Sequence, residues 1–241
     1  MSPLSRKPIP PEERLIAAVD VPGHEQALEL VERLGDAVRF YKLGLELAMS
    51  GRYFDLVDEL GRRGKRVFAD LKFFDIPNTV AAAVRELAKR RVDFATLHAG
   101  HAPMLEAACS EKGSVRLLAV TLLTSVAPEE LASQGISLSP QELVVARARQ
   151  ALELGCDGVI ASGIEAPVLR RALGEDFLIV SPGIRPQQGA DDQRRVVTPR
   201  QAFENGADYI VVGRPITRSA DPEAAAASIQ RSIREVFGSA G

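Results

Sequence analysis

The chain has 241 residues, 46% of them hydrophobic and 26% charged, with a formal net charge of −2. Such length and composition suit a globular protein of one or two domains with ample residues for a large core, and the balance of charge offers no basic field for nucleic acid or an anionic membrane. The opening "MSPLSRKPIPPEER" lacks the apolar stretch of a secretory leader, and no apolar run approaches the roughly 20 residues of a membrane span, so a cytoplasmic protein is expected.

Pro8, Pro10 and Pro11 predict an extended tail over 1–13, ahead of a folded domain over 14–241. Short β-rich runs then alternate with longer helical patterns. The first strand is predicted over 14–21 ("RLIAAVDV"), followed by amphipathic "HEQALELVERLG". "FYKLGLEL" from Phe40 is the second, with "YFDLVDELGRRG" behind it, and "RVFADLKF" from Arg66 the third, with "TVAAAVRELAKR". "FATLHAG" from Phe94 precedes the helix around "PMLEAACSEK", and "VRLLAVTLL" from Val115 precedes "PQELVVARARQALELG". "DGVIASG" from Asp157, "FLIVSPGI" from Phe177 and "DYIVVGRPI" from Asp208 complete the strands. Their helices are "IEAPVLRRALG", "TPRQAFENG" and "DPEAAAASIQRSIREVF".

Eight such units without a composition break predict a single-domain (β/α)8 TIM barrel. Helices stopping at Gly35, Gly64, Gly155, Gly174 and Gly206 fit left-handed helix ends. The competing doubly wound sheet carries a glycine-rich turn after its first strand, whereas this strand ends in "VDVPG". Cys109 and Cys156 have no metal or redox spacing and read as small buried hydrophobes of a reducing compartment. With His24, His98 and His101 as the only histidines, a zinc cage is not expected.

The third strand carries the anomaly. "VFADLKFFDIPNTV" sets Asp70, Lys72 and Asp75 in a run that otherwise reads as buried strand, where charges cost several kcal/mol unless paired. Asp70 and Lys72 are two apart and so share a face; if it is the barrel interior, Lys42 on the neighbouring strand joins them. An alternating Lys, Asp, Lys cluster results. It reads either as a buried network fixing strand register or as an active site, and charges gathered at the strand ends favour the latter. At about 4 Å and an effective dielectric near 20, each pair is worth roughly 4 kcal/mol, which favours an ammonium at Lys72. A cationic proton donor is then expected there, not a Schiff-base amine. Downstream, "SPGIRP" and "VVGRPIT" follow the last two strands, where barrels often bind phosphate; Gly213 admits a close approach and Arg214 offers a planar fork.

These residues resemble a known family. "AVDV", "YKLGLEL", "FADLKFFDIPNTV", "VTLLTS" and "SPGIRP…DDQRR…TPRQAFENGADYIVVGRPIT" together are similar to bacterial orotidine 5'-phosphate decarboxylases, over nearly the whole chain after the tail. The resemblance implies a barrel acting as a homodimer that converts orotidine 5'-phosphate to uridine 5'-phosphate (UMP) and carbon dioxide in de novo pyrimidine synthesis, without metal or organic cofactor. It implies Lys72 as the acid that protonates C6, and Asp70 as the carboxylate beside the substrate's own. It further implies that Lys42 bridges Asp70 and the ribose and that Asp20 bonds a ribose hydroxyl. By the same resemblance Asp75 and Thr79 are expected to reach a partner's site across the dimer interface, and Thr124 to stand near the pyrimidine edge. Arg185, Gln193, Gly213 and Arg214 are expected, on the resemblance, to grip the phosphate, with the polar segment 186–195 as lid. Many bacterial members carry His where this chain has Phe74, with little effect on chemistry expected. His98 and His101 line the mouth without an assigned role. Two further readings stand beside this one: a magnesium-dependent sugar-phosphate decarboxylase or aldolase using Asp70 and Asp75, and a non-catalytic sensor of a phosphorylated ligand.

Overall fold

The structure, a computed structural model, describes residues 4–123, 126, 128–185 and 197–238. Eight strands close into one barrel in sequence order: β1 (Leu15–Val19), β2 (Phe40–Leu43), β3 (Arg66–Phe73), β4 (Phe94–His98), β5 (Arg116–Val120), β6 (Gly158–Ile160), β7 (Leu178–Ser181) and β8 (Tyr209–Val212). Every neighbouring pair is parallel, as the expected fold requires. The helices are α1 (His24–Leu34), α2 (Leu45–Ala48), α3 (Tyr53–Arg62), α4 (Pro77–Ala88), α5 (Ala102–Glu111), α6 (Pro128–Ser133), α7 (Pro140–Glu153), α8 (Ala166–Leu173), α9 (Pro199–Glu204), α10 (Arg214–Thr217) and α11 (Pro222–Phe237). Among the described residues no helix is long and apolar enough to cross a membrane.

Alternation along each strand sorts the side chains into two cores. Leu15, Ala17 and Val19 face the helices, while Ile16 and Ala18 face the barrel axis. On the axis, Phe40, Phe68, Phe94 and Tyr209 form a buried aromatic layer, with ring centroids 4.9–6.0 Å apart in tilted or edge-on contact. Arg66 and Arg116 lie over this layer, 4.3 Å from the Phe40 centroid and 4.7 Å from that of Phe94. Two residues further along β2 and β3 the same face presents Lys42 and Asp70. The axis therefore changes from aromatic to charged within one turn of the pleat.

The tail does not trail away from the barrel. Ser5 is buried, and its hydroxyl donates to Asp208 Oδ1 at 2.5 Å. Lys7 Nζ donates to the same oxygen at 3.1 Å, and Ile9 packs against the axial core. Arg170 Nη2 reaches Asp208 Oδ2 at 2.8 Å. These contacts gather at the start of β8, the end of the barrel associated with stability. The five glycines expected at helix ends all take positive φ, such as 97° at Gly155 and 103° at Gly206. Cys109 and Cys156, 47 residues apart, are not merely separate apolar fillers, because their sulfurs meet at 3.7 Å as free thiols.

The strands stop earlier than the sequence suggested. β2 ends at Leu43; Gly44 turns the chain, and "LEL" enters the short helix α2. β8 ends at Val212, and Arg214 opens another short helix, α10. Past these ends Leu47 and Ile216 are buried in the core between strands and helices, while Leu45 is exposed.

Candidate active site

At the C-terminal ends of the strands lies a cleft of about 280 Å³. One wall carries Asp20, Lys42, Asp70 and Lys72; the other carries Arg185, Gly213 and Arg214; Phe68, Val120, Leu122, Ile160 and Val211 supply apolar lining. Strand order explains the division. β1, β2 and β3 are neighbours around the barrel, and β7 and β8 bring the arginines up beside β1.

The charged wall is an alternating chain. Lys42 Nζ is 3.2 Å from Asp20 Oδ1 and 3.2 Å from Asp70 Oδ2, and Lys72 Nζ is 2.8 Å from that same Asp70 oxygen. Asp70 and Lys42 are nearly buried, with side-chain exposures of 11% and 12%, whereas Lys72 at 31% and Asp20 at 57% open toward the cleft. Such a gradient is unlike a network sealed in the core to fix register. Burial pushes the Asp70 carboxyl up, but Lys42, Lys72 and the Thr96 hydroxyl outweigh it and hold the group below the usual carboxylate range. Asp70 thus remains an anion between two ammonium groups.

Lys72 reaches this place by an irregular route. Among the described residues it is the only non-glycine with positive φ, 49°. The pairing of β3 with β4 shifts register between Ala69 and Phe73 around it. A regular strand would also have set Asp70 and Lys72 on one face, but the actual backbone is bulged, in a region costing a long side chain about 1–2 kcal/mol. The Lys72 N–H donates to Thr96 Oγ1 at 3.0 Å, and Thr96 Oγ1 donates to Asp70 Oδ1 at 2.9 Å. The sequence reading missed Thr96. Its only sequence signal is an inward parity on β4, two residues after Phe94.

Asp20, Lys42, Asp70, Lys72, Arg185, Gly213 and Arg214 therefore converge on one cleft. A methyl group at Gly213 would sit at ordinary contact distance, 3.6 Å from Ala18 Cβ and 3.7 Å from Asp20 Oδ2, so packing alone does not require glycine there. Asp75 and Thr79 do not join the cluster: both are exposed, and Asp75 Oδ1 accepts the N–H of Ile76 at 2.6 Å ahead of α4. Thr124, Gln193 and the segment 186–195 lie outside the described residues. His101 caps α5, its Nδ1 accepting the Met104 N–H at 3.2 Å. His98 stands edge-on to the exposed ring of Phe74, with centroids 6.0 Å apart. Burial, with Lys72 and Arg147 nearby, pushes the His98 imidazole below its ordinary value.

Comparison with known proteins bears on this arrangement. Residues 13–229 match the profile of the "Orotidine 5'-phosphate decarboxylase / HUMPS family". A Methylococcus capsulatus protein named orotidine 5'-phosphate decarboxylase is 57% identical over 236 residues, covering 97% of each chain. One of the same name from Xanthomonas euvesicatoria is 56% identical, covering 96% of this chain and 97% of its own. Among solved structures, the orotidine 5'-phosphate decarboxylase of Lactobacillus acidophilus superposes with a TM-score of 0.82 at 38% identity, over 92% of this chain and 99% of that one.

Proposed function

The chain belongs to the orotidine 5'-phosphate decarboxylase / HUMPS family, and from that premise we propose that it converts orotidine 5'-phosphate to UMP and carbon dioxide. The observation that carries the reading is the pairing, in one cleft, of the Asp20–Lys42–Asp70–Lys72 chain with Arg185 and Arg214 from the chain after β7 and β8. The two guanidiniums suit a phosphate, whose oxygens they meet as planar forks. Asp20 and Lys42 suit the ribose hydroxyls. The pyrimidine then points its C6 carboxylate toward Asp70.

Asp70 is held anionic, so a second carboxylate beside it is repelled, and the repulsion disappears as neutral carbon dioxide forms. The C6–carboxylate bond breaks and its electron pair remains on C6. The Lys72 ammonium stabilises that charge and transfers a proton from Nζ to C6, giving UMP; a solvent proton then restores the ammonium. Fixed charges aimed at a developing carbanion act with little reorganisation, which is the physical advantage of the preassembled chain.

A magnesium site built on Asp70 and Asp75 fits less well. Asp70 already accepts from Lys42, Lys72 and Thr96, and Asp75 turns back onto its own loop. The test is to add orotidine 5'-phosphate and follow loss of its ultraviolet absorbance, with and without excess chelator. Turnover in both is expected. Absence of any change overturns the reading, and loss of turnover only with chelator favours the metal enzyme.

The same proposal includes a homodimer whose sites are completed by Asp75 and Thr79 of the partner. What supports it is their exposure, beside Phe74 and Ile76, each 65% exposed on the same loop. A cytoplasmic location goes with it, since substrate and product are charged nucleotides that do not cross membranes unaided.

A further inference from the structure

We infer that Thr96 is a positioning residue that locks Asp70 and Lys72 into one working unit, an inference that rests on the decarboxylase reading above. Thr96 lies on β4 with no exposed surface, and its hydroxyl is both donor and acceptor within the charged wall. It donates to Asp70 Oδ1 at 2.9 Å, leaving Oδ2 to meet Lys42 at 3.2 Å and Lys72 at 2.8 Å. It accepts the backbone N–H of Lys72 at 3.0 Å.

That second bond matters because of where Lys72 sits. With φ at 49° and the ladder out of register between Ala69 and Phe73, the Lys72 N–H is served by a side chain on β4 where a regular ladder would use a carbonyl. The hydroxyl takes that place, so the bulge that swings Nζ back onto Asp70 is held by the same atom that holds the Asp70 carboxylate. A ring closes through Thr96 Oγ1, the carboxylate, the ammonium and the lysine backbone. Remove the hydroxyl, and one oxygen of a buried carboxylate and one strained N–H lose their partner together. The acid and the anion are then free to separate.

Thr96→Val keeps the shape and deletes both bonds; Thr96→Ser keeps both bonds and deletes a methyl. We expect Thr96→Val to lower kcat on the order of 100-fold with little change in KM, as a misplaced reacting group does. Its acid limb should also move to higher pH, since the carboxylate has lost a donor. Thr96→Ser should stay within about threefold of the wild type. Hydrogen exchange at the Lys72 amide gives a readout independent of turnover: slow in the wild type and Thr96→Ser, fast in Thr96→Val. If valine is not accommodated, Thr96→Ala serves the same comparison. Overturning results are a Thr96→Val enzyme with wild-type kcat and slow exchange, or a Thr96→Ser enzyme as impaired as Thr96→Val. A wild-type protein that fails to turn over orotidine 5'-phosphate would sink the decarboxylase reading instead, and the exchange comparison would still decide whether Thr96 holds the bulge.

Discussion

Lys72 combines two demands that oppose each other: a long charged side chain and a backbone conformation that glycine prefers. Lys72→Gly and Lys72→Ala both remove the ammonium, and both should abolish turnover while leaving the barrel folded. Glycine should nevertheless be the more stable of the two by about 1 kcal/mol, reversing its usual penalty, because alanine keeps the left-handed cost. Urea midpoints of the two variants check this. Asp70 makes a pH prediction with a definite sign. Its folded carboxyl titrates below the unfolded value of about 3.9, so its stabilisation is complete above that value and drains only as pH falls through the folded one. The stability difference between wild type and Asp70→Asn should therefore not narrow from about pH 7 to 5, where His98, the coupled group among the described residues, is favoured in its charged form by Asp70; a gap that closes already in this range counts against the assignment. At this scale the sequence was readable where it was costly. Charges in a strand demand an explanation, so Lys42, Asp70 and Lys72 stand out. A threonine in a strand demands none, since β-branched residues favour strands anyway, and Thr96 stayed hidden.

Among the elements, strand and helix order were legible because apolar periodicity changes visibly from two to 3.6 residues. Strand ends were not. Leu47 and Ile216, past Leu43 and Val212, remain apolar because they pack into the core outside the barrel, and periodicity cannot tell a short helix packed there from a continuing strand. Nor could sequence bring Cys109 to Cys156, or Ser5 to Asp208, since both contacts depend on how distant segments come together around the barrel. The latter contact belongs to a clamp in which Arg170, with 1% side-chain exposure, donates to Gly206 O, Phe177 O and Asp208 Oδ2. Arg170→Met removes one of the two cations on the buried carboxylate of Asp208, which keeps Lys7, Ser5 and the Ile179 N–H, and should cost about 2 kcal/mol in chemical denaturation. Because the clamp lies at the opposite end of the barrel from the cleft, KM and kcat of the protein that remains folded should be unchanged.

For the whole molecule, the separation of Asp75 from the charged wall within one chain makes the proposed dimer testable without a structure of it. Lys72→Ala and Asp75→Asn should each be inactive alone. If sites are shared, mixing them after dissociation should restore about one quarter of wild-type activity, since half the dimers are hybrids and each hybrid has one intact site. No recovery on mixing argues that each chain carries a whole site. The aromatic layer across the barrel axis has a consequence for traffic. Phe40, Phe68, Phe94 and Tyr209 plug the vessel at its base, so it is open at one end only. In the proposed mechanism nucleotide, departing gas and the proton that re-arms Lys72 all use a single doorway. Under the proposed mechanism a nucleotide lodged in that doorway does more than occupy a binding site, because it also cuts Lys72 off from the water that recharges it.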